Sequence, residues 1–426
     1  MSDIEIGRTE SRLNGLLSRV GLAPFTIVLC LTIWVLRRPA QLMRPYLWAE
    51  ESVVLGAWLE HGWSAAVAPL AGYFAFPSSI LITTAAALAP TAMPVLEYMF
   101  ATAVFLVTVA ALVLPDSRWG DVRVRSLFAV AMALVPCNPE VFGVLLYSFW
   151  WAGLWPVIVL GWRRPLWAFR VPLLMIGALS SPAGCALALV FALAWLQERT
   201  RVLFISTVVL GFGGLAQVVA LATSERGGSV AERFALGKVL ESAIRSGGFY
   251  VSRWTAGAEQ ADRAWSLFVG LVFVGFVIWA VYAHFRATRD WPVVYLAVSA
   301  GLLTVISQLP EPMVSDPLSA GPRYYFHPYT LFAWLLLYLG SASRVETIRR
   351  TSAIVVAISL VTLGSAFSRS EDQRSLTVDW RAELKACAET RQNQFQLPIM
   401  LDGSRTVWHL DVAPRDCRRM LGRASS

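Results

Sequence analysis

Residues 21–36 read Gly-Leu-Ala-Pro-Phe-Thr-Ile-Val-Leu-Cys-Leu-Thr-Ile-Trp-Val-Leu, a predominantly apolar run with Arg8, Arg12 and Arg19 before it and Arg37 and Arg38 behind it. No small-residue cleavage site follows, so the run reads as an uncleaved signal anchor. Comparable windows recur at Met93–Leu114, Ser126–Cys137, Val141–Gly161, Pro165–Leu179, Ala183–Gln197, Val202–Ala222, Trp265–Phe285, Trp291–Leu309, Tyr325–Ser341 and Thr351–Phe367. Together they predict about eleven crossings of a ~30 Å hydrocarbon core, with breaks near Pro136 and Pro182. With 56% hydrophobic and 15% charged residues, the chain holds more apolar sequence than a water-soluble core can use. The fold class expected is an all-α polytopic membrane protein, with a transmembrane domain over 1–367 and a small polar C-terminal tail over 368–426.

The net charge of +8 comes almost entirely from arginine, Lys238 and Lys385 being the only lysines. These arginines sit in short clusters between apolar runs, so they report membrane topology, and nucleic acid is not an expected partner. The stretch Phe76–Pro90 is apolar but short, which suits a re-entrant or interfacial helix. If it does not cross, the arginine clusters at 8–19, 118–125, 163–170, 199–201, 286–289 and 344–350 fall on one side, the cytoplasm. The opposite side receives the loop 37–92, the Asn138-Pro139-Glu140 corner, the Ser180–Pro182 corner, the long loop Thr223–Ala264, the loop Pro310–Arg323 and the tail. Arg37, Arg38 and Arg44 break the pattern. In an oxidising outer compartment Cys387 and Cys417 are expected to form a disulfide closing a loop of about thirty residues, two unpaired thiols being the alternative.

Three groups of residues could carry chemistry. The first is Pro45-Tyr46-Leu47-Trp48-Ala49-Glu50-Glu51. A carboxylate at the bilayer centre costs roughly 2.5–3.5 kcal/mol, so Glu50 and Glu51 belong at the surface or in a wet cavity, where either could serve as a base. An ordinary solvated loop pair is the alternative. Ser52–His61 has the spacing of a surface helix, with Val54, Leu55, Trp58 and Leu59 grouped, and Pro69-Leu70-Ala71-Gly72-Tyr73 turns back to the bilayer. The second is Arg323-Tyr324-Tyr325, where a guanidinium at headgroup level can grip a phosphate and the tyrosines can line a lipid or sugar. An interfacial arginine in an aromatic belt explains it equally well. The third is Asn138-Pro139-Glu140, able to bind sugar hydroxyls or simply to end a helix. Glu97 suits the positive end of its helix dipole, and His327 has no partner at metal spacing. No P-loop, dinucleotide fingerprint, Gly-x-Ser-x-Gly elbow or His-Glu-x-x-His occurs.

Taken together, Trp48-Ala49-Glu50-Glu51, Pro69-Leu70-Ala71-Gly72-Tyr73, Asn138-Pro139-Glu140 and Arg323-Tyr324-Tyr325 resemble the bacterial multi-pass glycosyltransferases of the GT-C fold, over about Arg19 to Ser341. The sequence departs from the usual Trp-Ala-Glu-Asp-Gly and Pro-Tyr-Ala-Gly-Tyr patterns at Glu51, Ser52 and Leu70. The resemblance implies an inverting transferase in a bacterial inner membrane, passing a sugar from a polyprenyl phosphate to a lipid, glycan or protein acceptor at the outer face. Glu50 or Glu51 would be its base, Arg323, Tyr324 and Tyr325 its phosphate grip, and Asn138, Glu140 and Tyr73 its substrate contacts. No metal or other cofactor is expected. A lipid or glycan flippase is the rival, and its mark would be ionisable residues deep in several spans. Gln217 is the clearest polar mid-span residue, with His284 and Gln308 near helix ends.

Overall fold

The computed structural model describes residues 21–70, 72–135, 139–224, 236–252, 263–307, 322–361, 378–402 and 405–422. Asn138, Gln308 and the N-terminal arginines lie outside them. The chain is mainly helical, and three of the described helices are long and apolar enough to cross a membrane: Pro90–Val113, Arg201–Ala222 and Ala264–Thr288. Shorter helices fill the other apolar segments: Gly21–Arg37, Val122–Ala133, Ser148–Gly153, Trp155–Gly161, Trp167–Ser180, Pro182–Ala186, Ala188–Glu198, Trp291–Ser307, Phe326–Ala342 and Glu346–Val361. The expected break at Pro182 is present, with Ser181 extended before it. The segment expected as one span from Val141 is not one helix. Gly143 takes a positive φ of 79°, helix begins only at Ser148, and it breaks at Leu154, just ahead of Pro156, whose nitrogen has no proton to donate.

Aromatic side chains fill the centre. Trp34 stacks on Phe105 at 4.5 Å, and Trp151 meets Phe105 edge-on at 5.0 Å. Trp34 also donates its indole N–H to Thr102 at 3.1 Å, so its one polar atom is satisfied.

Polar contacts collect at two ends of the helices. At one end Arg118 grips both oxygens of Glu198, Tyr295 donates to Glu198 at 3.2 Å, and Asp290 accepts from Tyr338 at 2.7 Å. At the other end lie the loop after the first helix and the tail. Arg37 is buried there and donates to the carbonyls of Ala133 and Val135, while Arg38 donates to the carbonyl of Phe142 and to the Tyr46 hydroxyl. Arg37 satisfies carbonyls at the end of the helix Val122–Ala133 and just beyond it, and Arg38 one in the segment that follows, which accounts for two of the three that broke the charge pattern.

The long loop expected over Thr223–Ala264 contains a helix, Leu236–Ser252, that packs closely against Arg263–Thr288. A Cβ on Gly248 would lie 2.0 Å from the Ser266 carbonyl oxygen, and one on Gly270 would lie 2.1 Å from that of Ile244. Two backbones approach that closely only where side chains are missing. Gly248→Ala should lower the thermal stability of the detergent-solubilised chain by about 1–3 kcal/mol. Gly237→Ala, in open space, should not lower it. Equal melting of the two variants would refute the close packing.

The tail departs from an all-helical plan. Helix Trp380–Glu389, an antiparallel pair of strands Phe395–Asp402 and Arg405–Val412, and helix Pro414–Gly422 enclose a small core with Leu384, Leu397 and Met420. Cys387 and Cys417 are joined in a disulfide across it. The tail docks on the loop after the first helix. Trp380 donates its indole N–H to the Pro90 carbonyl at 2.6 Å, Trp408 to the Ser52 hydroxyl at 2.9 Å, and Arg419 lies over the Trp58 ring.

Candidate active site

The loop after the first helix does not wave in solvent. Tyr46, Leu47, Trp48 and Ala49 are buried, Glu50 takes the cap position, and the helix Glu51–His61 turns Val54, Leu55 and Trp58 inward as its spacing predicts. The turn at Leu70–Tyr73 closes through two backbone hydrogen bonds, with Gly72 at a φ of 89° that a side chain would resist. Phe74 is then tied down by Gln217, which accepts from its N–H at 2.9 Å and donates to its carbonyl at 3.0 Å. The short helix Ser78–Leu88 follows, about 16 Å long at 1.5 Å per residue and too short to cross.

The two adjacent glutamates have different surroundings. Glu51 is 2% exposed; its Oε2 accepts the Trp48 N–H at 2.5 Å and its Oε1 the Leu146 N–H at 3.0 Å. Its carboxyl faces that of Glu97, also 2% exposed, whose oxygens meet no N–H or O–H donor. Contact between two carboxyls in so dry a site requires a shared proton. Burial pushes Glu51 up from the ordinary carboxylate range, and its amide donors only partly oppose this. A raised carboxyl contributes stability that is present below the ordinary carboxylate range and lost as pH rises through the raised value. Glu97→Gln supplies a permanent donor to Glu51, so its melting temperature should fall less on going from mildly acidic to alkaline buffer than that of the unaltered chain. Parallel curves would mean that the pair shares no proton.

Glu50 points elsewhere. Its Oε1 accepts the Tyr147 hydroxyl at 3.1 Å and lies 3.8 Å from Arg323 Nη1, and its Oε2 accepts no hydrogen bond. The same guanidinium donates to Tyr147 Oη at 2.7 Å and to Glu140 Oε2 at 3.2 Å. A chain of donors thus runs from Arg323 through Tyr147 to Glu50, each bond polarising the next. Burial pushes the Tyr147 phenol up, which keeps its proton in place to donate. Burial alone would weaken the charge on Arg323, but Tyr147, Tyr324 and Glu140 outweigh it and hold the guanidinium above its ordinary range. The side chains of Glu50, Glu140 and Arg323 are 36%, 15% and 26% exposed, so the cluster is open to a ligand.

The sequence-derived candidates divide accordingly. Glu50, Glu140, Arg323 and Tyr324 meet, with Tyr324 beneath the guanidinium at 5.5 Å. Tyr73 stands at the margin, its ring 6.4 Å from that of Phe149, which in turn contacts Tyr147. Tyr325 does not reach the cluster, because the first turn of its helix rotates it inward against Tyr329, where it is fully buried. Glu51 does not join the cluster: it is held by the Leu146 backbone N–H, whereas Glu50 is held by the Tyr147 side-chain hydroxyl. Tyr147 is the member that sequence reasoning left out, its only signal being an aromatic side chain in a run of aromatics. His327 is buried and contacts the Trp150 carbonyl at 2.6 Å. Among the described residues no group of three His, Cys, Asp or Glu side chains is placed to hold a metal. The chain matches no family model, no curated protein and no solved structure.

Proposed function

We propose that the chain is a glycosyltransferase of a bacterial inner membrane that takes a sugar from a polyprenyl phosphate and passes it to a lipid, glycan or protein hydroxyl at the outer face. One observation carries the reading: Glu50, Tyr147, Glu140 and Arg323, from three distant segments, meet at one end of the helices beside a tail that caps the same end. Glu50 is the base. Its side chain is 36% exposed, whereas Glu51 is buried with both oxygens engaged by amides. The acceptor hydroxyl gives its proton to Glu50 as its oxygen bonds to the anomeric carbon; the bond from that carbon to the phosphate oxygen breaks, and polyprenyl phosphate leaves with the electron pair. One displacement inverts the anomeric centre. Arg323 stabilises the charge that develops on the phosphate, and Tyr324 lines its approach.

Two further observations support this placement. Three helices are long and apolar enough to cross a membrane, and arginines 118, 163, 199 and 289 lie at the end opposite Glu50, which the charge bias assigns to the cytoplasm. An apolar cavity of about 660 Å³, lined from Phe285 and Trp291 to Phe332 and apart from the Arg323 cluster, has room for a lipid chain. A flippase is less well supported, because Gln217 is committed to the backbone of Phe74 and Ala178 and not to a path. The test is direct: the purified chain, given a panel of polyprenyl-phosphate sugars and a mixed membrane acceptor extract, should release polyprenyl phosphate. Release no faster than from protein-free membranes, for every sugar tried, would defeat the proposal.

A further inference from the structure

Arg44 is the arginine that carbonyl capping leaves unexplained. It lies at the entrance to a cleft of about 510 Å³ between the tail and the membrane helices, lined also by Thr91, Pro94, Val95, Asp379 and Arg381. Arg44 and Arg381 are both exposed, and among the described residues no carboxylate or carbonyl engages either guanidinium. Asp379 pairs with neither of them; its Oδ1 caps the tail helix by accepting the Ala382 N–H at 3.0 Å, and its charge leaves the three groups with a net excess of one positive charge. The cleft therefore offers two free guanidiniums, supplied by two parts of the chain, facing one space.

What lies below the cleft identifies the occupant. Val95, Met99, Ala103 and Val107 are exposed at four-residue spacing on the helix Met93–Val113, an apolar stripe that runs down one of the three candidate spans. Val95, its uppermost member, lines the cleft, and the exposed Leu42 and Met43 stand next to Arg44 in the chain. A hydrocarbon chain lying along this stripe would bring its own headgroup between Arg44 and Arg381. We infer that the Arg44–Arg381 cleft binds the phosphate of an anionic membrane lipid in the outer-facing leaflet, joining the tail to the membrane helices. The guanidiniums match phosphate oxygens in pairs, and a lipid there would tie the tail in place above Glu50. This rests on the membrane placement of Met93–Val113 and not on the transferase reading.

The experiment is native mass spectrometry of the full chain in neutral detergent, titrated separately with phosphatidylglycerol, phosphatidylcholine and inorganic phosphate. The unaltered chain should retain one phosphatidylglycerol about 30-fold more tightly than the Arg44→Ala/Arg381→Ala variant, roughly a fivefold contribution from each arginine beside an anionic headgroup. Phosphatidylcholine should not distinguish the two proteins, and Arg415→Ala, on the last tail helix, should bind as the unaltered chain does. Equal retention of phosphatidylglycerol by the unaltered chain and the double variant overturns the inference. So does tight binding of inorganic phosphate without the lipid, which would make the ligand a soluble phosphate. Should the double variant melt early, the single charge reversals Arg44→Glu and Arg381→Glu carry the same test, each expected to abolish the retained lipid.

Discussion

Glu50→Gln is expected to lower sugar transfer by about 10²- to 10⁴-fold while leaving the folded chain intact. The amide oxygen of glutamine can still accept the Tyr147 hydroxyl, and the 3.8 Å approach to Arg323 is too long for its loss to cost much stability. What disappears is the capacity to take a proton. Glu51→Gln makes the contrast. Its amide group must turn one N–H toward a backbone N–H, from Trp48 or from Leu146, and it disturbs the carboxyl shared with Glu97. That variant should lose stability, with any loss of transfer following from misplacement of Glu50. Measuring initial rates and melting temperatures of both variants separates the two roles. A Glu50→Gln chain that transfers at the unaltered rate removes Glu50 as the base, and a Glu51→Gln chain that melts normally but is inactive would hand the role to its neighbour.

How much of this was written in the sequence depends on how local each signal is. Apolar runs are local, and among the described residues each of them carries helix. The grouping of Val54, Leu55 and Trp58 is local too, and it places Glu50 at a helix start. The convergence of Glu50, Glu140 and Arg323 is not local; it could be expected only from the type of chemistry each residue offers, and it stands in the fold. Which of two adjacent glutamates faces the cluster could not be read, because the partner of Glu51 is Glu97, forty-six positions away on another helix. Arginines 37 and 38 misled for the same reason: their carbonyl partners belong to another helix and to the loop beyond it. The helix Leu236–Ser252 was hidden by its polarity. Its small residues Ser242, Ser246, Gly247 and Gly248 look like loop until they are seen to permit close approach of a second backbone. The tail hairpin did leave a signal in the alternation of Phe395, Leu397 and Ile399.

Arg323→Ala should cost both activity and stability, and a second substitution separates the two effects. Removing the guanidinium takes away the positive charge beside Glu140 at 3.2 Å and Glu50 at 3.8 Å, and it strips the Tyr147 oxygen of its donor. The two carboxylates then face each other across the cluster without an intervening cation, so the melting temperature falls. Transfer should drop by about 10²- to 10³-fold, the range seen when a donor to a developing anion is lost. Adding Glu140→Gln relieves the repulsion and should restore much of the melting temperature. It cannot restore transfer, since no cation then meets the leaving phosphate. Arg323→Lys should fall between, keeping the charge but losing the planar fork that can serve Tyr147, Glu140 and a phosphate together. If the double variant regains transfer along with stability, Arg323 is only a structural counter-ion for Glu140, and the phosphate must be held elsewhere. If it stays inactive at a restored melting temperature, the guanidinium acts on the donor itself.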